Sequence, residues 1–171
     1  MELATATAAD APRLTAFVNA AYRGAAARQG WTTEADLLDG QRIDEAGLRD
    51  MLALPDSALL LCLGPAAELL GCFHAQVREG GRLYLSMLAV APTGQGRGVG
   101  KFLLEAAENY GRARGCTKSK MTVISVRPEL LAYYGRRGYR PTGRTEPFPT
   151  DPRYGVPNQP LTLLVLEKPL G

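Results

Sequence analysis

The sequence predicts a mixed α/β domain, built on a central, mostly antiparallel sheet of about seven strands with four helices. Three strand-like apolar runs, at 57–64, 68–79 and 82–92, follow one another across short turns, which demands antiparallel neighbours. Strand, helix and strand patterns then alternate over 82–126, the arrangement of a parallel crossover. A last strand-like run, "LTLLVLEK", follows a proline-rich stretch.

Each element has its own signal. Leu3 to Thr7 reads as a short strand. Asp10 then stands at an N-cap position with Pro12 in the first turn, and Leu14, Phe17, Val18 and Ala21 recur at helical spacing. "GWTTEADLLDGQR" has no clear period and reads as a long loop or broken helix. Asp44 to Leu54 is helical, with Ile43, Gly47, Leu48, Met51 and Leu52 along one stripe. "SALLLCLG" is a buried strand, while "ELLGCFHAQVRE" puts Gly71, Phe73, Ala75 and Val77 on one face and Cys72, His74 and Gln76 on the other. Glu79-Gly80-Gly81 turns the chain into the strand "RLYLSMLAVAP". A helix from Val99 to Arg114 is closed by Gly115, "KSKMTVISV" is a strand, and "PELLAYYGRR" is a short helix between Pro128 and Gly138. Tyr139 to Thr145 is a strand, "PFPTDPRYGVPNQP" a loop, and "LTLLVLEK" the last strand.

A length of 171 residues suits one domain, 1–171, with 46% hydrophobic and 22% charged residues. No apolar run approaches the roughly 20 residues that span a bilayer. "MELATATAADAPR" lacks the basic start and apolar core of an export signal, so a cytoplasmic protein with no membrane partner is expected. Cys62, Cys72 and Cys116 match neither a zinc spacing nor a disulfide framework, and read as buried thiols with no metal. The net charge of +3 gives no argument for nucleic acid. Its distribution is uneven: residues 1–85 hold 7 Lys/Arg against 11 Asp/Glu, and residues 86–171 hold 13 against 6.

The segment "LAVAPTGQGRGVGKFLLEAAENY" carries Gly94, Gly96, Gly98 and Gly100 at the mouth of a helix. The first amides of a helix have no partner inside it, and the macrodipole adds positive charge there. Glycine lets an anion approach, and Arg97 and Lys101 add formal charge, so a phosphate or pyrophosphate suits this place. A P-loop would need glycine at 95 and Ser or Thr at 102, where the chain has Gln95 and Phe102. The dinucleotide fingerprint fails too, because Val99 or Lys101 stands where its third glycine should be.

Gln95-x-x-Gly98-x-Gly100, preceded by "LAVAP" and followed by an amphipathic helix, resembles motif A of the GCN5-related N-acetyltransferases, the GNAT family. "ELLAYYGRRGYRPTG" resembles that family's second landmark, a short helix ending in Tyr, Gly and an aromatic residue. The order of elements matches over nearly the whole chain. The resemblance implies the GNAT acyl-CoA N-acyltransferase fold and acetyl-coenzyme A as acyl donor, without metal. It implies an amine or peptide-amine acceptor, attacked directly in a ternary complex, in a monomer or homodimer. A longer acyl-CoA, or a non-catalytic acyl-CoA-binding module, stands as the alternative.

Carried over residue by residue, Gln95, Gly96, Arg97, Gly98, Val99, Gly100 and Lys101 would hold the pyrophosphate. In the family the fourth and fifth strands splay apart, so Leu88, Ala89 and Val90 would offer backbone groups to the pantetheine arm and thioester. Tyr134 matches the family's general acid. The family often has Asn where this chain has Arg127, either a different coenzyme contact or a surface residue. The base is open among His74, the only histidine, Glu34 as base or acceptor contact beside Asp36, and a water chain. Residues 34–56 hold seven acids against Arg42 and Arg49. If they face the pocket the acceptor is cationic, and if they are solvated the acceptor is unconstrained. Trp31 would stack on an acceptor or pin its loop to the core.

Overall fold

The computed structural model describes residues 1–23, 27, 28 and 33–171. The chain runs through β1 (Glu2–Thr5), α1 (Ala11–Tyr22), β2 (Leu38–Asp39) and α2 (Glu45–Leu52). It continues with β3 (Ser57–Leu63), β4 (Leu69–Arg78), β5 (Arg82–Val90) and α3 (Val99–Arg112). The remaining elements are β6 (Lys118–Ile124), α4 (Pro128–Gly135), β7 (Arg140–Pro147), β8 (Val156–Pro157) and β9 (Thr162–Pro169). Seven strands form one sheet in the order β1-β3-β4-β5-β6-β9-β7. Among the described residues only β5 and β6 run parallel, on either side of the α3 crossover, and β9 inserts between β6 and β7. The expected fold class therefore stands. The fourth strand of the family pattern is β5, and the fifth is β6.

Both faces of the sheet are packed. Leu59, Leu61, Cys72, Met87 and Ala89 meet α1 and α2 on one side. Leu83, Leu85, Leu88 and Val90 meet α3 and α4 on the other, through Val99, Leu103, Ala107 and Tyr134. The second face of β4 is thus a core face rather than a polar one, and His74 is only 2% exposed. Asp10 sits at the start of α1, but its carboxylate accepts from the Thr7 amide at 2.8 Å, closing the turn before the helix.

Two irregularities in β5 shape the centre of the sheet. Cys72 pairs with Ala89 and His74 with Ser86, so β5 carries one residue more than β4 over this stretch. The extra residue is a bulge at Met87, whose φ of 56° lies in the left-handed region. It puts Leu85 and Leu88, three apart, on one face. In addition, β5 pairs with β6 only from Arg82 to Tyr84, so the two strands part on the C-terminal side of Tyr84. The Ala91 amide donates to Leu70 at 3.0 Å, which points residues 89 and 91 at β4 and turns the N–H and C=O of Leu88 and Val90 into the gap.

A second sheet was not legible: Leu38 and Asp39 pair with Pro157 and Val156. Both expected loops, before α2 and within 147–160, are joined by this ladder.

The helix α3 lies so close to β4 that a Cβ on Gly71 would stand 2.9 Å from Leu103, Val99 and the Ala89 carbonyl. Gly71→Ala is expected to destabilise the fold by about 1–3 kcal/mol, read as a lower urea midpoint at unchanged slope.

Candidate functional site

Two concavities meet at Leu88, the one residue that lines both among the described residues. The first is a groove of about 460 Å³ between the glycine segment and α4. It is floored by Gln95, Gly96, Gly98, Val99, Gly100 and Lys101. Gly96 and Gly98 have φ of 83° and 82°, a region L side chains rarely adopt, and Gly98 is the N-cap of α3. The Phe102 amide closes the first helical turn onto Gly98 at 2.9 Å, and the Arg97 amide turns to Gly94 at 3.4 Å. Among the described residues, the amides of Gly96, Gly98, Val99, Gly100 and Lys101 have no carbonyl partner outside the helix. The expected nest of open donors is therefore present.

The charges around it differ from the sequence expectation. Lys101 lines the groove, loosely paired with Glu105 at 3.8 Å, whereas Arg97 is exposed and outside its lining. Arg136 and Arg137, to which no motif pointed, supply the remaining cations opposite the single acid Glu129. Arg137 lies 3.6 Å over the Tyr133 ring, and its Nε is buried with no hydrogen-bond partner among the described residues. Their only signal is the "RR" one helical turn beyond Tyr133. The Tyr133 hydroxyl stands 2.6 Å from where a Cβ on Gly100 would be, so glycine at 100 gives α4 its close approach.

The second concavity, about 260 Å³, is the gap between the parted strands. Ser86, Met87 and Leu88 form one wall, and Met121 to Ile124 form the other. Phe148, Pro149 and Tyr154 line it from the 147–160 loop, so that loop caps the cavity. Tyr134 reaches the cavity from α4, with its ring edge-on to Tyr133 at 5.2 Å and to Tyr139 at 5.9 Å. Its hydroxyl makes no hydrogen bond with a described residue, and burial raises its pKa, so it holds its proton at neutral pH. Tyr134 and Tyr133, adjacent in sequence, thus serve different concavities.

The carbonyls in the gap are already engaged. The Tyr22 hydroxyl donates to the Leu88 oxygen, and Gln95 Nε2 donates to the Val90 oxygen at 3.3 Å. Tyr22 ends α1, and nothing in its helical period marked it. Ala89 points its main chain to β4 and packs its methyl against α1, away from both concavities.

Arg127 lines the cavity beside Tyr134 rather than the glycine groove, is 5% exposed, and donates to Glu129 at 2.5 Å. Glu34 lines the same cavity, but its Oε2 accepts from buried Arg23 at 2.8 and 3.2 Å. Arg23 also donates to Gln41 and Tyr154 carbonyls at 2.9 and 3.1 Å, tying the β2 loop to the β8 loop. Asp36 is exposed and pairs with Arg28. Of the seven acids at 34–56, Glu34 alone lines the cavity. Asp44 caps α2 through the Gly47 amide at 2.6 Å, and Glu45 pairs with Arg49 at the surface. The solvated alternative holds for the acidic run. Trp31 lies outside the described residues.

His74 is apart from both concavities. Its Nδ1 lies 3.1 Å from Ser86 Oγ, and its Nε2 is buried without a described partner. Burial, with Arg78 nearby, lowers its pKa to about 4. A ring that stays neutral at physiological pH is a poor acceptor for an ammonium proton. Cys62, Cys72 and Cys116 are free and buried, and burial pushes the Cys72 thiol up to about 12.

Comparison with known proteins gives this arrangement its class. Residues 17–139 match the model of the acetyltransferase (GNAT) family, and the chain belongs to that family. The mycothiol acetyltransferase of Clavibacter michiganensis subsp. michiganensis is 35% identical over 101 residues, 58% of this chain. The chain spans about a third of that relative's length, since the match covers 33% of it. In fold, the chain is similar to a ribosomal-protein-alanine N-acetyltransferase from Brucella melitensis, with a TM-score of 0.71, 19% identity and 99% of each chain covered. It is likewise similar to a phosphinothricin acetyltransferase from Sinorhizobium meliloti, solved in complex with AcCoA: TM-score 0.70, 18% identity, 99% of this chain and 88% of that one.

The lowered pKa of His74 sets an acid limit on stability. The unfolded chain takes up a proton near pH 6.5 that the folded one refuses until about pH 4, so stability falls as pH drops through that window. Between pH 7 and 5 the loss is about 2 kcal/mol, and His74→Gln is expected to flatten that slope in urea unfolding at the two pH values.

Proposed function

We propose that the chain transfers an acetyl group from acetyl-coenzyme A to a primary amine, by direct attack while both substrates are bound. The observation that carries this reading is the junction at Leu88, where an anion-receiving groove opens beside a cavity holding a protonated tyrosine whose hydroxyl makes no hydrogen bond with a described residue. The groove fits a diphosphate on its own terms. It offers open amides at Gly96 and from Gly98 to Lys101, and the cations Lys101, Arg136 and Arg137.

In this reading the amides of Gly96 and of Gly98 to Lys101 hold the diphosphate, and the β5 edge receives the arm that carries the thioester. Because Tyr22 and Gln95 occupy the Leu88 and Val90 carbonyls, the amides of those residues are the groups left for a ligand in the gap. The bulge at Met87 brings main-chain donors toward the developing oxyanion. The ammonium first gives up a proton to Glu34 or to water, and the free amine attacks the thioester carbon. The C–N bond forms and the C–S bond breaks as Tyr134 donates its proton to the departing sulfur, and the second proton of the nitrogen then returns the Tyr134 phenolate to phenol, leaving a neutral amide and a free thiol.

Tyr134→Phe is expected to lower kcat at least about tenfold, some 1.4 kcal/mol of barrier, in a free-thiol release assay with acetyl-coenzyme A and an amine panel. Unchanged kcat removes Tyr134 from the role. No turnover of the intact chain, with the coenzyme bound, makes it a binding module. Gly100→Ala displaces Tyr133 from the groove and is expected to weaken coenzyme A binding about tenfold by calorimetry, with the fold retained. Coenzyme A binding unaffected by that change would place the diphosphate elsewhere.

A further inference from the structure

The charge of the gap cavity says what kind of amine it is built for. Its charged lining is three arginines, Arg23, Arg42 and Arg127, against one acid, Glu34. Arg23 is neutralised by Glu34 and fixed by backbone carbonyls, and Arg127 is paired with Glu129. Arg42 differs. Its guanidinium makes no hydrogen bond and no ion pair with a described residue, and stands over the Tyr22 ring at 5.7 Å to the centroid. Five planar donors left open beside a half-buried cavity form a receptor for a carboxylate or a tetrahedral oxyanion.

The position of Arg42 is built, not incidental. Asn19 Oδ1 accepts from the Arg42 amide at 2.6 Å and the Ile43 amide at 3.2 Å, while its Nδ2 donates to the Ile43 carbonyl at 2.8 Å. Asn19 and Tyr22 sit one turn apart on α1, so a single helix face fixes both the backbone of Arg42 and the ring beneath its side chain. Glu34 complements it. Only Oε2 engages Arg23, and Oε1 accepts from no described residue. The cavity thus presents one open cation and one open carboxylate oxygen.

We propose that the acceptor is an amphoteric small molecule, a primary amine that also bears a carboxylate or phosphonate, and that Arg42 selects it by holding that anion. The ammonium end then lies toward Glu34. This inference rests on the reading of the gap cavity as the acceptor site. It opposes the purely cationic acceptor that the acidic run at 34–56 would imply if it faced the pocket.

The test uses paired acceptors with the intact chain: α- and ω-amino acids and aminoalkyl phosphonates, each beside its ester or the amine lacking the anion. Wild type is expected to show a kcat/KM at least about tenfold higher for the anionic member of the preferred pair. Arg42→Ala is expected to bring that ratio to within about twofold, leaving the KM for acetyl-coenzyme A unchanged. Arg42→Lys, which keeps charge without the fork, is expected to retain part of the preference, and guards against a folding defect in the alanine variant. Whether the carboxylate or the phosphonate pair shows the larger ratio identifies the anion. Preference for the neutral or purely cationic members overturns the proposal. So does a ratio that survives Arg42→Ala, or failure of every anionic amine while coenzyme A still binds. Loss of coenzyme A binding itself would instead sink the donor reading, which calorimetry with coenzyme A alone separates from these outcomes.

Discussion

The parting of β5 from β6 beyond Tyr84 is the constraint on which the rest of the molecule depends. A strand inside a sheet normally satisfies its main chain on both sides, and an interior edge left open is costly unless something else meets it. Here β4 holds one side of β5 throughout, and the bulge at Met87 lets the strand bend away from β6 without losing that partner. The open side becomes a wall. Tyr22 and Gln95 meet two of its carbonyls, and the remaining polar groups face a cavity rather than a neighbouring strand. The groove, the cavity and the reach of Tyr134 all follow from that one separation.

Around this gap, anchors of different kinds keep the pieces in register. Glu108 of α3 is buried and accepts from Lys168 of β9 at 2.8 and 2.9 Å and from the Tyr139 hydroxyl at 3.1 Å. The Tyr139 oxygen in turn accepts from the Ser119 hydroxyl of β6 at 2.9 Å. Those bonds tie the crossover helix to the far half of the sheet, and Tyr139 supports Tyr134 ring against ring. On the opposite face, buried Arg23 joins the loops that carry β2 and β8, which brings Phe148 and Tyr154 over the cavity. One network sets the groove and the other sets the cap.

What was legible in the sequence was whatever had a local cause. The glycines at 96, 98 and 100 announce a helix mouth that needs bare backbone, and the strand and helix periods give the element order. What escaped had causes distant along the chain. The β2–β8 ladder joins residues 38–39 to 156–157, and two-residue strands have no period to read. Tyr22 meets Leu88 across the fold, with no motif linking them. The direction of the acidic run was not legible because a sum of charges ignores it: Asp44 is a helix cap, Asp36 and Glu45 are surface partners, and Arg42 lines the cavity with no hydrogen bond or ion pair to a described residue. His74 lay on a strand face that alternation marked as polar, yet α1 and α2 cover that face.

The placement of β9 between β6 and β7 bears on how the molecule is made. On the ribosome, β6 and β7 emerge well before the strand that must separate them, and β7 has no other neighbour in the sheet among the described residues. The half carrying α4 therefore cannot mature vectorially. It waits as an unsealed flank, exposing the strand edges that chaperones and stray chains recognise, until β9 slides into the vacancy and Lys168 reaches Glu108.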